Sequence, residues 1–113
     1  MKLQEIVDNL SLEVKAASSK LTKEVSSGYV SDLLSDVIAN TKEGSVWVTL
    51  QTHINIVAVA SLRGLSGIIL ANGKKPDEDT IKKAEDEGIP IMVSQLPAFE
   101  IVGRLYALGL RCQ

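Results

Sequence analysis

From residue 45 to the end of the chain, three short runs of apolar, mostly branched residues alternate with three helix-like stretches, and this order constrains the fold more than any other feature. Ser45-Val46-Trp47-Val48-Thr49-Leu50 has the branched and aromatic composition of a strand. Gly67-Ile68-Ile69-Leu70-Ala71 lies between glycines and Asn72-Gly73, and Ile89 to Val93 follows Gly88. Each is an unbroken apolar run, the pattern of a strand covered on both faces. Strands that alternate with helices across connectors of about two to six residues imply right-handed crossovers and a mainly parallel sheet with helices on both sides. The expected class is α/β: a three-layer α/β/α domain with a small, mainly parallel, mixed sheet.

Between these runs, residues 53–63 read as a helix capped by Thr52, with apolar residues on nearly every side; such a helix is either sandwiched or covered by a second subunit. Pro76 followed by Asp77, Glu78 and Asp79 opens a second helix, because early acidic residues complement the helix dipole. Ile81 and Ala84 face inward, Glu78/Lys82 and Asp79/Lys83 form i,i+4 pairs outside, and Gly88 stops it. Pro97 opens the last helix, with Ala98, Ile101, Val102, Leu105 and Leu108 on one face. In the N-terminal third, Leu3, Ile6, Val7 and Leu10 mark a short amphipathic helix, and residues 12–16 alternate as an edge strand. Residues 24–30 read as a short strand or turn. A helix over 31–40 follows, with Ser31 as N-cap and Leu33, Leu34, Val37 and Ile38 buried.

At 113 residues the chain has room for one domain, 1–113, and 45% hydrophobic residues suffice for a core without metal or disulfide staples. A net charge of −2 argues against a nucleic-acid or membrane-surface binder. Cys112 is the only cysteine, so neither an internal disulfide nor a thiolate metal site is available. The longest unbroken apolar run, residues 56–60, is far short of the ~20 residues of a membrane helix, and no signal peptide is read. A cytoplasmic protein is expected.

In an open parallel sheet, ligands collect beyond the carboxyl ends of the strands. Three segments of this chain fall there. The first carries Thr49, Gln51, Thr52, His53 and Asn55 beside free helix amides, which suits a phosphate or carboxylate; the bland reading is a capping threonine and a locally satisfied histidine. The second carries Asn72, Gly73 and Lys74, where positive φ would let backbone amides form an anion nest backed by paired lysines; a plain turn with solvated lysines is the alternative, slightly favoured. Ser94-Gln95-Leu96-Pro97 is a weaker third. Phosphate-loop, dinucleotide, nucleophile-elbow and zinc-protease motifs are absent, and Asp32 with Asp36 reads as a solvated helix face. No catalytic residue, metal ligand or cofactor is assigned.

The run from Gly28 to Val37, Gly-Tyr-Val-Ser-Asp-Leu-Leu-Ser-Asp-Val, together with Val46-Trp47-Val48-Thr49, the segment from His53 to Ala60, and Ile68-Ile69-Leu70-Ala71-Asn72-Gly73, resembles the DRTGG domain over nearly the whole chain. The resemblance implies a fold like the N-terminal domain of HPr kinase/phosphorylase and the UDP-binding N-terminal domain of the MurE/MurF ligases. It also implies a dimerising regulatory module, found in larger members between CBS domains of inorganic pyrophosphatases or in long phosphotransacetylases. The family's Asp-Arg pair and Thr-Gly-Gly match Thr52-His53 and Ala71-Asn72-Gly73, so only Gly73 agrees. Short members carry labels that link them to HPr serine kinase or to iron–sulfur hydrogenases, but kinase chemistry needs a phosphate loop and a cluster needs several thiolates. The leading expectation is a non-enzymatic regulatory domain, homodimeric, acting on a metabolic or redox enzyme. The second is a sensor of a nucleotide or other anion. An accessory role beside a hydrogenase-type enzyme, or a small enzyme using His53 as general base, ranks below both.

Overall fold

The computed structural model describes residues 1–112. Ten regular elements follow in order: α1 (Leu3–Leu10), β1 (Glu13–Ala16), β2 (Ser27–Val30), α2 (Leu34–Asn40), β3 (Ser45–Thr49), α3 (Asn55–Arg63), β4 (Gly67–Leu70), α4 (Glu78–Glu87), β5 (Ile91–Val93) and α5 (Ala98–Ala107). They build one five-stranded sheet in the order β1-β5-β4-β3-β2. β2 to β5 run parallel, and β1 joins β5 antiparallel with a bulge between Val14 and Ala16. The mixed α/β/α sandwich expected from the alternation is therefore the fold.

Every residue of β3, β4 and β5 is buried. Because side chains alternate across a strand, Trp47, Ile68, Leu70, Ile91 and Val93 pack under α2, α3 and α4, while Val46, Val48, Ile69 and Met92 pack under α1 and α5. Gly67 lets α1 approach the sheet: a Cβ there would sit 3.1 Å from Leu3 Cδ2 and 3.2 Å from Met92 Cε. Pro90 has no amide to offer a ladder, yet its carbonyl accepts from the Ile68 amide at 2.9 Å, so β5 pairs from its first turn of chain.

Three local expectations are corrected. The helix predicted over 31–40 begins only at Leu34, and of its four expected core residues only Val37 is buried; Leu33 is 64% exposed. Ser31 is held outside the helix, since its amide donates to Val48 O and its carbonyl accepts from Trp47 Nε1 at 2.8 Å. Ser31 is not the N-cap; its hydroxyl accepts from the Leu33 amide in a local turn. α3 likewise starts at Asn55 with no side-chain cap, so Thr52 does not cap it. On α4 neither expected ion pair closes; Lys83 instead reaches Glu87 at 3.5 Å, and Thr80 with Ala84 forms the buried face.

Trp47 joins the two lessons, being fully buried and yet hydrogen-bonded through its indole nitrogen. Trp47→Ala should destabilise the fold by about 3–5 kcal/mol. Trp47→Phe, which mainly strands the Ser31 carbonyl, should cost about 1–3 kcal/mol. Urea unfolding followed by far-ultraviolet circular dichroism measures both, and a Trp47→Phe cost near zero would show that packing alone holds this residue.

Candidate functional site

The carboxyl ends of the parallel strands β2, β3, β4 and β5 come out on one edge of the sandwich, followed by loops 31–33, 50–54, 71–77 and 94–97. Thr49 ends β3 almost fully buried, and its hydroxyl donates to Asp32 Oδ1 at 2.7 Å. The same oxygen accepts from the Leu50 amide at 2.7 Å, and Gln51 Nε2 donates to the Asp32 carbonyl at 3.0 Å. One carboxylate thus clasps the loop after β3 to the loop after β2. Asp32 and Asp36 do not share a solvated helix face, as the sequence suggested: Asp32 lies before the helix, while Asp36 accepts from Tyr29 Oη on both oxygens at 2.9 Å and from Asn40 Nδ2 at 2.8 Å.

His53 lies exposed in the loop after β3, with Nδ1 2.8 Å from Asp77 Oδ2 in the loop after β4. Two further bonds tie the same loops, because the Thr52 carbonyl accepts from the Asp77 amide at 3.2 Å and from Thr80 Oγ1 at 2.9 Å. Asn55 is exposed at the first residue of α3. Asp32 and Asp77 are the two strand-end groups that sequence reading missed. The sequence marks Asp77 as a helix-dipole charge at the end of the second candidate segment, and nothing in its own neighbourhood signals a partner 24 residues away.

Asn72 and Gly73 do adopt positive φ, +58° and +64°, as the Asn-Gly pair predicted. No anion nest results. The Asn72, Gly73 and Lys74 amides donate to the carbonyls of Leu96, Ser94 and Ala71, at 2.9, 2.8 and 3.1 Å. A nest needs amides that are free to point at a ligand. The turn instead latches the loop after β4 onto the loop after β5, and a Cβ at Gly73 would run into the Gln95 side-chain amide. What remains for a ligand here is the exposed ammonium groups of Lys74 and Lys75.

The structure therefore gathers Thr49, Gln51, Thr52, His53, Asn55, Asn72, Gly73 and Lys74 on one edge of the sheet. Thr49 and Asn72–Gly73 serve there as loop fasteners, whereas His53 and Lys74 present charge or a ring to solvent. Among the described residues no three His, Cys, Asp or Glu side chains converge as a metal site. No helix among them is long and apolar enough to cross a membrane. Away from these loops, a cleft of about 260 Å³ lies between β2 and α5.

Beside that cleft, hydrogen bonds from the Ser31 and Tyr29 hydroxyls hold the Asp36 carboxyl below its ordinary range. The bond to Asp36 in turn holds the Tyr29 phenol above its ordinary value, with burial adding to the effect.

Fold and strand-end geometry define a small α/β domain whose strand-end loops are fastened to one another by side chains. The chain belongs to the DRTGG domain family, whose model matches residues 5–108. Among solved structures, it is similar to the CBS and DRTGG domains of the regulatory region of Clostridium perfringens pyrophosphatase, complexed with the activator diadenosine tetraphosphate. The two share 18% identity with a TM-score of 0.73, over 92% of this chain and 45% of that one. The chain thus spans less than half the length of that neighbour. No curated protein matches it.

Thr49→Val, which keeps the shape and removes the hydroxyl, should cost about 1–3 kcal/mol through the charged acceptor it abandons. A double-mutant cycle with Asp32→Ala should show the two losses to be non-additive; independent losses would break the assigned clasp. The Tyr29–Asp36 bond gives a pH signature. A depressed carboxylate contributes stability above its ordinary pKa and loses it as pH falls through the lower folded value; a raised phenol contributes below its ordinary pKa and loses it as pH rises through the higher folded value. The difference in melting temperature between wild type and Tyr29→Phe should therefore stay level at neutral pH and shrink below about pH 4 and above about pH 10, as thermal melts across pH will check.

Proposed function

We propose that residues 1–113 act as one non-enzymatic regulatory domain, a homodimer in the cytoplasm that acts on a metabolic enzyme partner. The observation that carries this reading is membership of the DRTGG family combined with the way the strand-end groups are used. The Thr49 hydroxyl, the Asp32 carboxylate and the amides of Asn72 and Gly73 are engaged in holding loops to one another, and the Lys74 amide closes its own turn, rather than being aimed at a reacting atom. The His53 ring is likewise bonded across to Asp77, which ties the loop after β3 to the loop after β4.

Dimerisation is supported by α3. Its inner side covers the sheet with Ile56, Val57, Val59 and Ala60, while Ile54, Ala58 and Leu62 recur at four-residue spacing on the outer side. Leu62 is 69% exposed and Ile54 42%. Leu33 and Ile38, before and within the neighbouring α2, are also exposed. A second copy covering this face would bury them all. Light scattering at tens of micromolar should return twice the 12.2 kDa of one chain, and Leu62→Asp should halve it. A monomeric wild-type protein at that concentration would remove the dimer from the proposal.

A second reading, a sensor of a nucleotide or other anion, draws on the Clostridium perfringens regulatory region, which binds diadenosine tetraphosphate. Lys74 and Lys75 supply the positive charge for such a ligand, with His53, Gln51 and Asn55 beside them at the strand ends. A ligand at about 100 times its Kd adds roughly 2.7 kcal/mol. For a domain of this size that is a rise in Tm of roughly 10 °C. A nucleotide thermal-shift screen should find such a stabiliser, and Lys74→Ala with Lys75→Ala should abolish it. A silent screen ends the sensor reading and leaves the partner-binding one standing.

A further inference from the structure

The cleft between β2 and α5 is separate from the strand-end loops and takes no part in the function proposed above. Its walls are apolar: Val30 and Val48 from the sheet, and Val102 and Leu105 from α5. The hollow exists because Gly28 brings no side chain to it, while the segment after α5 turns back and accepts the Gly28 amide on the Arg111 carbonyl at 3.1 Å. That bond roofs the cleft with Arg111.

Arg111 is held in place by its own turn. Its Nη1 donates to the carbonyls of Tyr106 and Leu110 at 2.9 and 2.8 Å, and the guanidinium lies 3.6 Å over the Tyr106 ring. No carboxylate pairs with it among the described residues, and its Nη2 has no protein partner there. Of the other polar side chains lining the cleft, Tyr29 donates its hydroxyl hydrogen bond to Asp36, the Tyr106 ring lies under the guanidinium, and Cys112 adds a thiol, so Arg111 is the one cationic side chain of the lining. An apolar hollow with one fixed guanidinium at its rim is complementary to an apolar body that carries one negative charge, and the planar group suits a carboxylate. At about 260 Å³ the space lies just under the ~300–1,000 Å³ of sites for drug-sized ligands, which limits the occupant to a small molecule.

We infer that this cleft is a binding site for a small amphiphilic monocarboxylate, an aliphatic chain or single ring with its carboxylate on Arg111. The probes are octanoate and octan-1-ol, titrated at pH 7 into the isotope-labelled protein, with the Gly28, Val30, Val102 and Leu105 amides followed in nitrogen–proton spectra. Octanoate should shift these amides saturably and bind at least about tenfold more tightly than the alcohol, the advantage of a charge-assisted pair. Arg111→Gln should bring octanoate down to the alcohol's affinity without weakening the alcohol. Val102→Trp, which fills the cleft, should remove both responses while the spectrum stays dispersed. Equal affinity of the unaltered protein for acid and alcohol would overturn the assignment, and so would the absence of any saturable shift at millimolar octanoate. Line broadening of these amides that depends on protein concentration, with octanoate without effect, would overturn it in favour of a second copy of the chain on this edge.

Discussion

Burial of β3, β4 and β5 on both faces is the constraint from which the rest of the molecule follows. A strand covered on one side can alternate apolar and polar residues; one covered on both must be apolar throughout, and a helix layer has to exist on each side of it. Val46 and Val48 call for α1 and α5, and Trp47, Ile68 and Ile91 call for α2, α3 and α4. Chemistry is thereby excluded from the middle of the sheet and confined to the strand ends and the edges. The polar atoms that do reach the interior are satisfied there: Trp47 Nε1 donates to a backbone carbonyl just after β2 and so anchors a strand end, and the buried Ser27 and Ser45 hydroxyls bond each other.

At those strand ends a loop must be held in one place before it can recognise anything, and the groups able to hold it are the same groups able to bind a ligand. In this chain the first use dominates. Asp32 bridges two loops through Thr49 and Leu50, Asp77 meets His53, and the Asn72–Gly73 turn hands its amides to the loop after β5. Four loops are linked in series along the edge. A partner or ligand that shifts one of them acts on a connected set, which is the mechanical property a regulatory domain needs.

Legibility in the sequence tracks how local each determinant is. The three buried strands and the helices after Pro76 and Pro97 declare themselves within a few residues, through continuous apolarity, acidic first turns and glycine stops. The positive φ at Asn72 and Gly73 is equally local and was read from the dipeptide. What the turn does with its amides is not, because their acceptors, Ser94 and Leu96, belong to another loop. The late start of α2 has the same origin: Ser31 looks like a cap by composition, but Val48 and Trp47 claim its backbone from the next strand. The His53–Asp77 pair spans two loops that only a finished sheet brings together.

The N-terminal third completes this arrangement from both sides. β1 closes the β5 edge antiparallel, with a bulge that bends it, whereas β2 closes the β3 edge in parallel and is itself met at Gly28 by the Arg111 carbonyl. Bulged and twisted edges resist pairing with other chains; edges met at one point remain open for the rest of their length. Ser31 donates inward to Val48, so by the alternation of a strand the Val30 amide turns outward, beside a half-exposed valine side chain. The two sides of the sandwich are thus unequal in what they can recognise. The β1 side is finished by the fold, and the β2 side, with its cleft, its cation and its outward-turned Val30 amide, is where apolar surface and hydrogen-bonding groups come together for a small molecule.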